Sequence, residues 1–281
     1  MCTMWGDRKF GSEATLEEAT NQQCSTSLVG LEKARKRYDV LMQKCGFRVL
    51  PRKVEELKGC VISAPHGGYD FNTDFLVEAI HEKVGIAAVV AFGFRNLERR
   101  HWLNVNRPTE QRFEEGQLKR KEHVTPVASW VYEDYQRHLF EAAEQSPLNF
   151  LMELHVGDDN LTAVEVVTPH FEEIQVRQLQ KVILLECREY FNSNSPSFQF
   201  YELLKKETLQ SGENEYEFRY PARRTQERGS LQKRNTLYGM HIEFPPSLVS
   251  DRDRLSSFLI RVMQSEQFRD FLKINVIRKR Q

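Results

Sequence analysis

Three short stretches of this 281-residue chain set histidine and carboxylate side chains at spacings that could hold a metal ion. The first is Ala64 to Asp74, APHGGYDFNTD, where His66 follows an apolar run and precedes Gly67 and Gly68. Two glycines allow a sharp turn and leave room for an ion or a substrate against the backbone. Asp70 and Asp74 lie four and eight residues after His66, and either carboxylate could fold back toward its ring. Neutral imidazole and carboxylate suit zinc, at roughly 2.0–2.2 Å. The plainer alternative is a turn histidine bonded to backbone.

The second stretch is Met152 to Asp159, MELHVGDD. On a strand Glu153 and His155 share a face, because the side-chain period is two. A carboxylate there can orient or supplement a metal-bound imidazole; the alternative is a polar strand end at the surface. The third is Met240 to Pro246, MHIEFPP, in which His241 and Glu243 share a face by the same rule. A carboxylate opposite a metal-bound water can act as general base, then as acid to a leaving amine. His241 by itself reads more simply as a satisfied polar position.

A fourth stretch, Arg99 to Glu110, carries Asn106-Arg107-Pro108. Arg107, stiffened by the proline, offers a preorganised fork for a carboxylate, and Asn106 adds an amide donor. Arg99, Arg100 and His101 read as a solvated face. So does the run Arg219, Arg223, Arg224, Arg228, Lys233 and Arg234, which could also line the approach of an anionic substrate.

These residues need rigid elements beneath them. Gly59 to Ala64, Ile86 to Phe92, Asn149 to His155, Ala163 to Val167 and Leu237 to Phe244 are short apolar runs with the look of buried strands. Leu103 to Val105 gives a further short strand, and Phe47 to Leu50 precedes the first of them. Helical spacing of apolar residues predicts helices over Val29–Met42, Asp74–Val84, Pro126–Glu144, Phe171–Phe191 and Arg252–Phe271. Thr109 to Glu122 and Glu213 to Gln232 are charged and read as loops. Alternating strands and helices predict an α/β fold, a mixed, mostly parallel central sheet flanked by helices. Ligands in such sheets sit beyond the carboxyl ends of the strands. His66, His155 and Glu243 each fall near such an end. A polar arm over residues 1–28 and one domain over 29–281 complete the expected organisation.

Composition narrows the function. Lysine plus arginine equals aspartate plus glutamate at 40 each, without the basic excess expected of a nucleic-acid binder. No apolar run of about 18 residues is present to span a membrane. Met1 to Phe10 lacks the apolar core of a secretory signal, and five scattered cysteines without CxxC spacing suggest reduced thiols. A cytoplasmic chain that binds neither nucleic acid nor membrane is expected.

Taken in order, PHGG, LNVNRP, ELH and HIEF resemble the N-formylglutamate amidohydrolase family, over roughly Cys60 to Pro246. The resemblance implies a phosphorylase/hydrolase-like sheet of the zinc-peptidase type, shared with zinc carboxypeptidases and aspartoacylases. It further implies one Zn²⁺ per chain on His66, Asp70 and His155, with Glu243 activating the metal-bound water. Asn106 and Arg107 would bind the carboxylate of a small or peptide-like substrate, an N-acyl amino acid or a γ-glutamyl amide. The chain departs from the pattern at Tyr69, where carboxypeptidases carry a ligating glutamate, so Asp74 stands as a rival to Asp70. It also departs at Gly67, where the formylglutamate enzymes usually have a small polar residue; an HGG start is similar to poly-γ-glutamate hydrolases. The competing expectation is a binding or regulatory protein that keeps the fold without turnover. A serine or cysteine hydrolase is disfavoured, since no GxSxG elbow occurs and no cysteine sits beside a histidine in these motifs.

Overall fold

The computed structural model describes residues 28–114, 117–201 and 222–277. The arm expected over residues 1–28 lies outside them, apart from Leu28, which opens the first helix. In chain order the elements are α1 (Leu28–Met42), β1 (Gly46–Leu50), β2 (Cys60–Gly67), α2 (Thr73–Val84), β3 (Ala87–Phe92), β4 (Arg95–Asn96), β5 (His101–Asn104), β6 (Thr109–Glu114) and β7 (Gln117–His123). There follow α3 (Pro126–Ala143), β8 (Leu148–Val156), β9 (Val164–Val167), α4 (Glu173–Phe191), β10 (Phe198–Phe200), α5 (Arg223–Arg228), β11 (Thr236–Phe244), α6 (Pro246–Val249), α7 (Arg252–Gln264) and α8 (Glu266–Leu272).

Seven strands form the central sheet in the order β1-β3-β2-β8-β11-β9-β10. The pairs β2–β3, β2–β8, β8–β11 and β9–β10 are parallel, whereas β1–β3 and β9–β11 are antiparallel. The expected mixed, mostly parallel sheet is therefore present. β2 is buried along its whole length and β8 along all but its last residue, as continuous apolar runs covered on both faces should be. One face carries Ile62, Met152, Leu154 and Ile242 against α2, α4, α7 and α8 through Leu76, Ile80, Leu179, Phe258 and Phe268. The other carries Val61, Val89 and Leu151 against α3 through Val131, Tyr135 and Leu139. Helix α3 starts cleanly because Thr125 caps it, accepting a bond from Ala128 N, with Pro126 at the first helical position.

Three local expectations change. Thr109 to Glu122, expected as a loop, forms the hairpin β6–β7 of a second, antiparallel sheet ordered β4-β5-β6-β7. Its charged strands lack apolar alternation because buried Glu110 and Glu122 are matched by arginines instead. The closing helix is broken at Ser265, whose extended backbone ends α7 and whose side chain caps α8 by accepting from Phe268 N. In the charged segment 213–232, residues up to 221 lie outside the described ones, and Arg223–Arg228 is a helix. Among the described residues no helix is long and apolar enough to cross a membrane.

Candidate metal centre

The end of β2 is shaped by its own sequence. Backbone N–H groups of Tyr69 and Asp70 both donate to His66 O, at 3.0 and 2.8 Å, closing a tight turn. Gly68 occupies the left-handed region at φ +80°. A side chain on Gly67 would meet Val90 Cγ1 at 2.8 Å and the Ala91 carbonyl at 3.0 Å. Both glycines are thus required by the turn. It folds Asp70 back into the interior, where it is only 5% exposed, and α2 begins three residues later. Asp74 lands in the first turn of α2, half-buried.

Register sets the rest. Glu153 on β8 lies opposite Ser63 on β2 and His241 on β11, and His155 lies opposite Glu243. Residues paired across neighbouring strands share a face. Ser63, Glu153, His155, His241 and Glu243 therefore gather on the α3 side of the sheet, while Met152, Leu154, Met240 and Ile242 fill the opposite core.

His155 stands at the centre of this group. Its Nδ1 is 3.0 Å from Asp70 Oδ2, and its Nε2 is 3.8 Å from Glu153 Oε2. Its ring centroid is 5.2 Å from that of His66 and 4.3 Å from that of His241. His241 Nε2 lies 3.1 Å from Glu243 Oε1. Glu153, wholly buried, is held on its other sides: Ser230 Oγ donates at 2.5 Å, Asn106 Nδ2 at 3.3 Å, and Tyr135 Oη at 3.5 Å. Sequence reasoning gave Glu153 an accessory part at most. Its partners at 106, 135 and 230 are too dispersed to be read along the chain.

The electrostatics follow from this packing. Burial, reinforced by the Arg95 charge, holds the His66 ring well below the ordinary histidine pKa, so it is neutral. Burial would lower His155 too, but the carboxylates of Asp70 and Glu153 outweigh it and push that ring up to about 9. Burial alone would raise Glu153, and bonds from His155 and His241 bring it down to about 2. Glu243 is likewise raised by burial and, on balance, lowered by His241.

Does such a site fit a metal ion? His66 Nδ1, His155 Nε2 and His241 Nδ1 are buried ring nitrogens without a hydrogen-bond partner among the described residues. His66, neutral and with an orphaned nitrogen, beside an ionised carboxylate supplies donors that zinc takes, and a metal ion would displace the proton that the carboxylates hold on His155. The residues fit. Among the described residues, Glu153, His155 and His241 are the three whose ligand atoms all lie within 4.8 Å of one another. Asp70 meets the same His155 from its Nδ1 side, with His66 next to it.

The expected substrate fork is differently disposed. Arg107 donates from Nε and Nη2 to Glu122 at 3.1 and 2.8 Å, and from Nη1 to Asn106 Oδ1 at 3.4 Å. Asn106 is buried between Arg107 and Glu153. Arg95, which sequence reasoning passed over, stands nearer the histidines' carboxylate partner, with Nη1 3.8 Å from Asp70 Oδ1.

No family model matches the chain, and no curated protein matches it. Solved structures do. The chain is similar to an N-formylglutamate amidohydrolase from Ralstonia eutropha JMP134 at 14% identity and a TM-score of 0.43, covering 78% of this chain and 97% of that one. It is similar to a bacteriophage poly-γ-glutamate hydrolase at 13% identity and a TM-score of 0.39, covering 81% and 87%. A metallo-carboxypeptidase from Burkholderia cenocepacia gives 15% identity and a TM-score of 0.35, over 89% and 70%. These likenesses are distant.

Proposed function

We propose that the chain is a metal-dependent amidohydrolase that cleaves an N-acyl amino acid of the N-formylglutamate kind or a γ-glutamyl amide. The observation that carries the proposal is that buried His155, near the end of β8, meets Asp70 of the turn after β2 at 3.0 Å and stands 5.2 Å, ring to ring, from His66, whose Nδ1 has no partner among the described residues. In this reading His66, Asp70 and His155 hold one Zn²⁺. When bound, the ion would polarise the scissile carbonyl and lower the pKa of a water toward about 7.

The chain's own residues do the remainder. Glu243, kept ionised by His241, takes a proton from the attacking water as the water's oxygen bonds the carbonyl carbon, and returns that proton to the amine as the C–N bond breaks. Its side chain is 28% exposed, open enough to trade protons with a substrate. Glu153 fixes the His155 ring from behind, and Asn106, braced by Arg107, fixes Glu153. A second ligand set, Glu153, His155 and His241, is favoured by its mutual closeness and would place the ion on the other edge of the same ring.

Metal analysis of the purified chain tests the proposal. About one zinc per chain is expected, removed by chelator together with hydrolysis of N-acyl amino acids. His66→Ala and Asp70→Asn are expected to lose the zinc while His241→Ala keeps it; the reverse pattern assigns the second set. A chain that takes up no metal refutes the function.

A further inference from the structure

We propose that Arg95, walled by Tyr69 and Trp102, is the anchor that binds a substrate's carboxylate; this rests on the amidohydrolase reading. Arg95 leads β4 and pairs across to Trp102 on β5. Its guanidinium lies 5.3 Å from the Trp102 ring centroid and 5.7 Å from that of Tyr69, and those two rings meet edge to face at 4.6 Å. The walls hold the fork flat and shield it from water.

A guanidinium carries five N–H donors. Among the described residues one bond of Arg95 is in place, from Nη2 to Asn104 Oδ1 at 2.8 Å. Nε is buried with no hydrogen-bond partner among them. The nearest carboxylate, Asp70, is at 3.8 Å, beyond hydrogen-bonding reach of Nη1. The side chain is 15% exposed, so a nearly buried cation is left short of acceptors, an arrangement that costs free energy until an anion arrives. In the proposed site the metal would also share the charge of Asp70, leaving Arg95 with still less compensation. Arg107 has the opposite disposition: its Nε and Nη2 edge is filled by Glu122. Of the two, Arg95 is the guanidinium with donors left over among the described residues. Its Nη1 stands 3.8 Å from Asp70, a proposed metal ligand, so a carboxylate seated on Arg95 lies close to the ion's place. The substrate class this fits is an N-acyl amino acid or short peptide whose free carboxylate sits a few atoms from the amide that is cut.

Calorimetric titration with N-acetyl-L-glutamate and with its uncharged dimethyl ester tests the assignment, on both metal-free and zinc-loaded protein. Wild type is expected to prefer the dianion in both states. Arg95→Gln is expected to lose at least tenfold in affinity for the dianion and little for the diester. Equal loss on both probes, no loss, or a charge-selective loss on Arg107→Gln in its place overturns the assignment. If Arg95→Gln does not fold, Arg95→Lys decides by the same pair of probes: a loss confined to the dianion supports the anchor, and an equal loss overturns it. Zinc uptake without carboxylate binding by wild type sinks the anchor alone. Charge-selective binding by a chain that takes up no zinc keeps the anchor and sinks the hydrolase.

Discussion

Glu122→Gln should destabilise the protein in a pH-dependent way. The Glu122 side chain is 4% exposed and accepts from Arg107, from Thr109 Oγ1 at 2.9 Å and from Arg224 Nη1 at 2.6 Å. Burial would raise its carboxyl pKa, but the arginines and the hydroxyl bring it from the ordinary 4.5 down to about 2. At about 1.4 kcal/mol per pH unit, the fold favours the ionised form by at most roughly 3–4 kcal/mol. Arg224 is 55% exposed and accounts for about 0–1 kcal/mol of this, so most of it belongs to Arg107, 15% exposed. The variant should therefore lose about 2–3 kcal/mol at neutral pH, and its melting temperature should fall by roughly 4–9 °C. The sign is fixed by the direction of the shift. A carboxyl whose pKa is lower when folded stabilises above its unfolded value, and that stability drains away as pH falls through the folded value. The gap between wild type and variant should hold down to about pH 4.5, then close toward pH 2. Urea titrations across this range measure it. A gap that is pH-independent, or below about 0.5 kcal/mol at neutral pH, refutes the account of this ion-pair cluster.

Three further outcomes are expected. Glu243→Gln should retain zinc while turnover falls by about 10²–10⁴-fold, and full activity in that variant would remove Glu243 from proton transfer. Gly229→Ala should cost about 2–3 kcal/mol in urea unfolding, because the added carbon would sit 2.2 Å from the Asn106 carbonyl and 2.9 Å from that of Thr225, both backbone. Unchanged stability there would contradict the packing. Chelation should lower the melting temperature, since an ion bound only by the folded chain at a hundred times its Kd stabilises it by about 2.7 kcal/mol; a melt indifferent to chelator and zinc would argue against the site.

Much of the frame was legible because parallel strands announce themselves. Runs such as VISA before His66 and FLMEL before His155 are continuous and apolar, so both histidines could be placed at strand ends from the sequence. The period of two put Glu153 with His155 and His241 with Glu243 on common faces, and the structure keeps those pairings. The hairpin β6–β7 was hidden because its buried positions are charged. Glu110 answers to Arg37, 73 residues away, and nothing local marks that match. Arg95 was hidden for the same reason. Its setting is made by Tyr69, Trp102 and Asn104, which meet only when the second sheet folds onto the first. Sequence spacing reports which face a residue takes, whereas the partner of a buried charge is decided by tertiary contact.

The place of β11 in the sheet has a consequence for synthesis. It is the last of the described strands, yet it inserts between β8 and β9, which came earlier. Until Thr236–Phe244 has been made, β8 and β9 both present an unpaired edge, and β9–β10 has nothing to join it to the rest of the sheet. A chain that stops short of residue 236 would keep His66, Asp70 and His155 but expose two open hydrogen-bonding edges, the usual targets of aggregation and proteolysis. Glu243, the carboxylate proposed for proton transfer, and sheet closure arrive on one strand. Premature products would thus be open sheets that also lack that carboxylate.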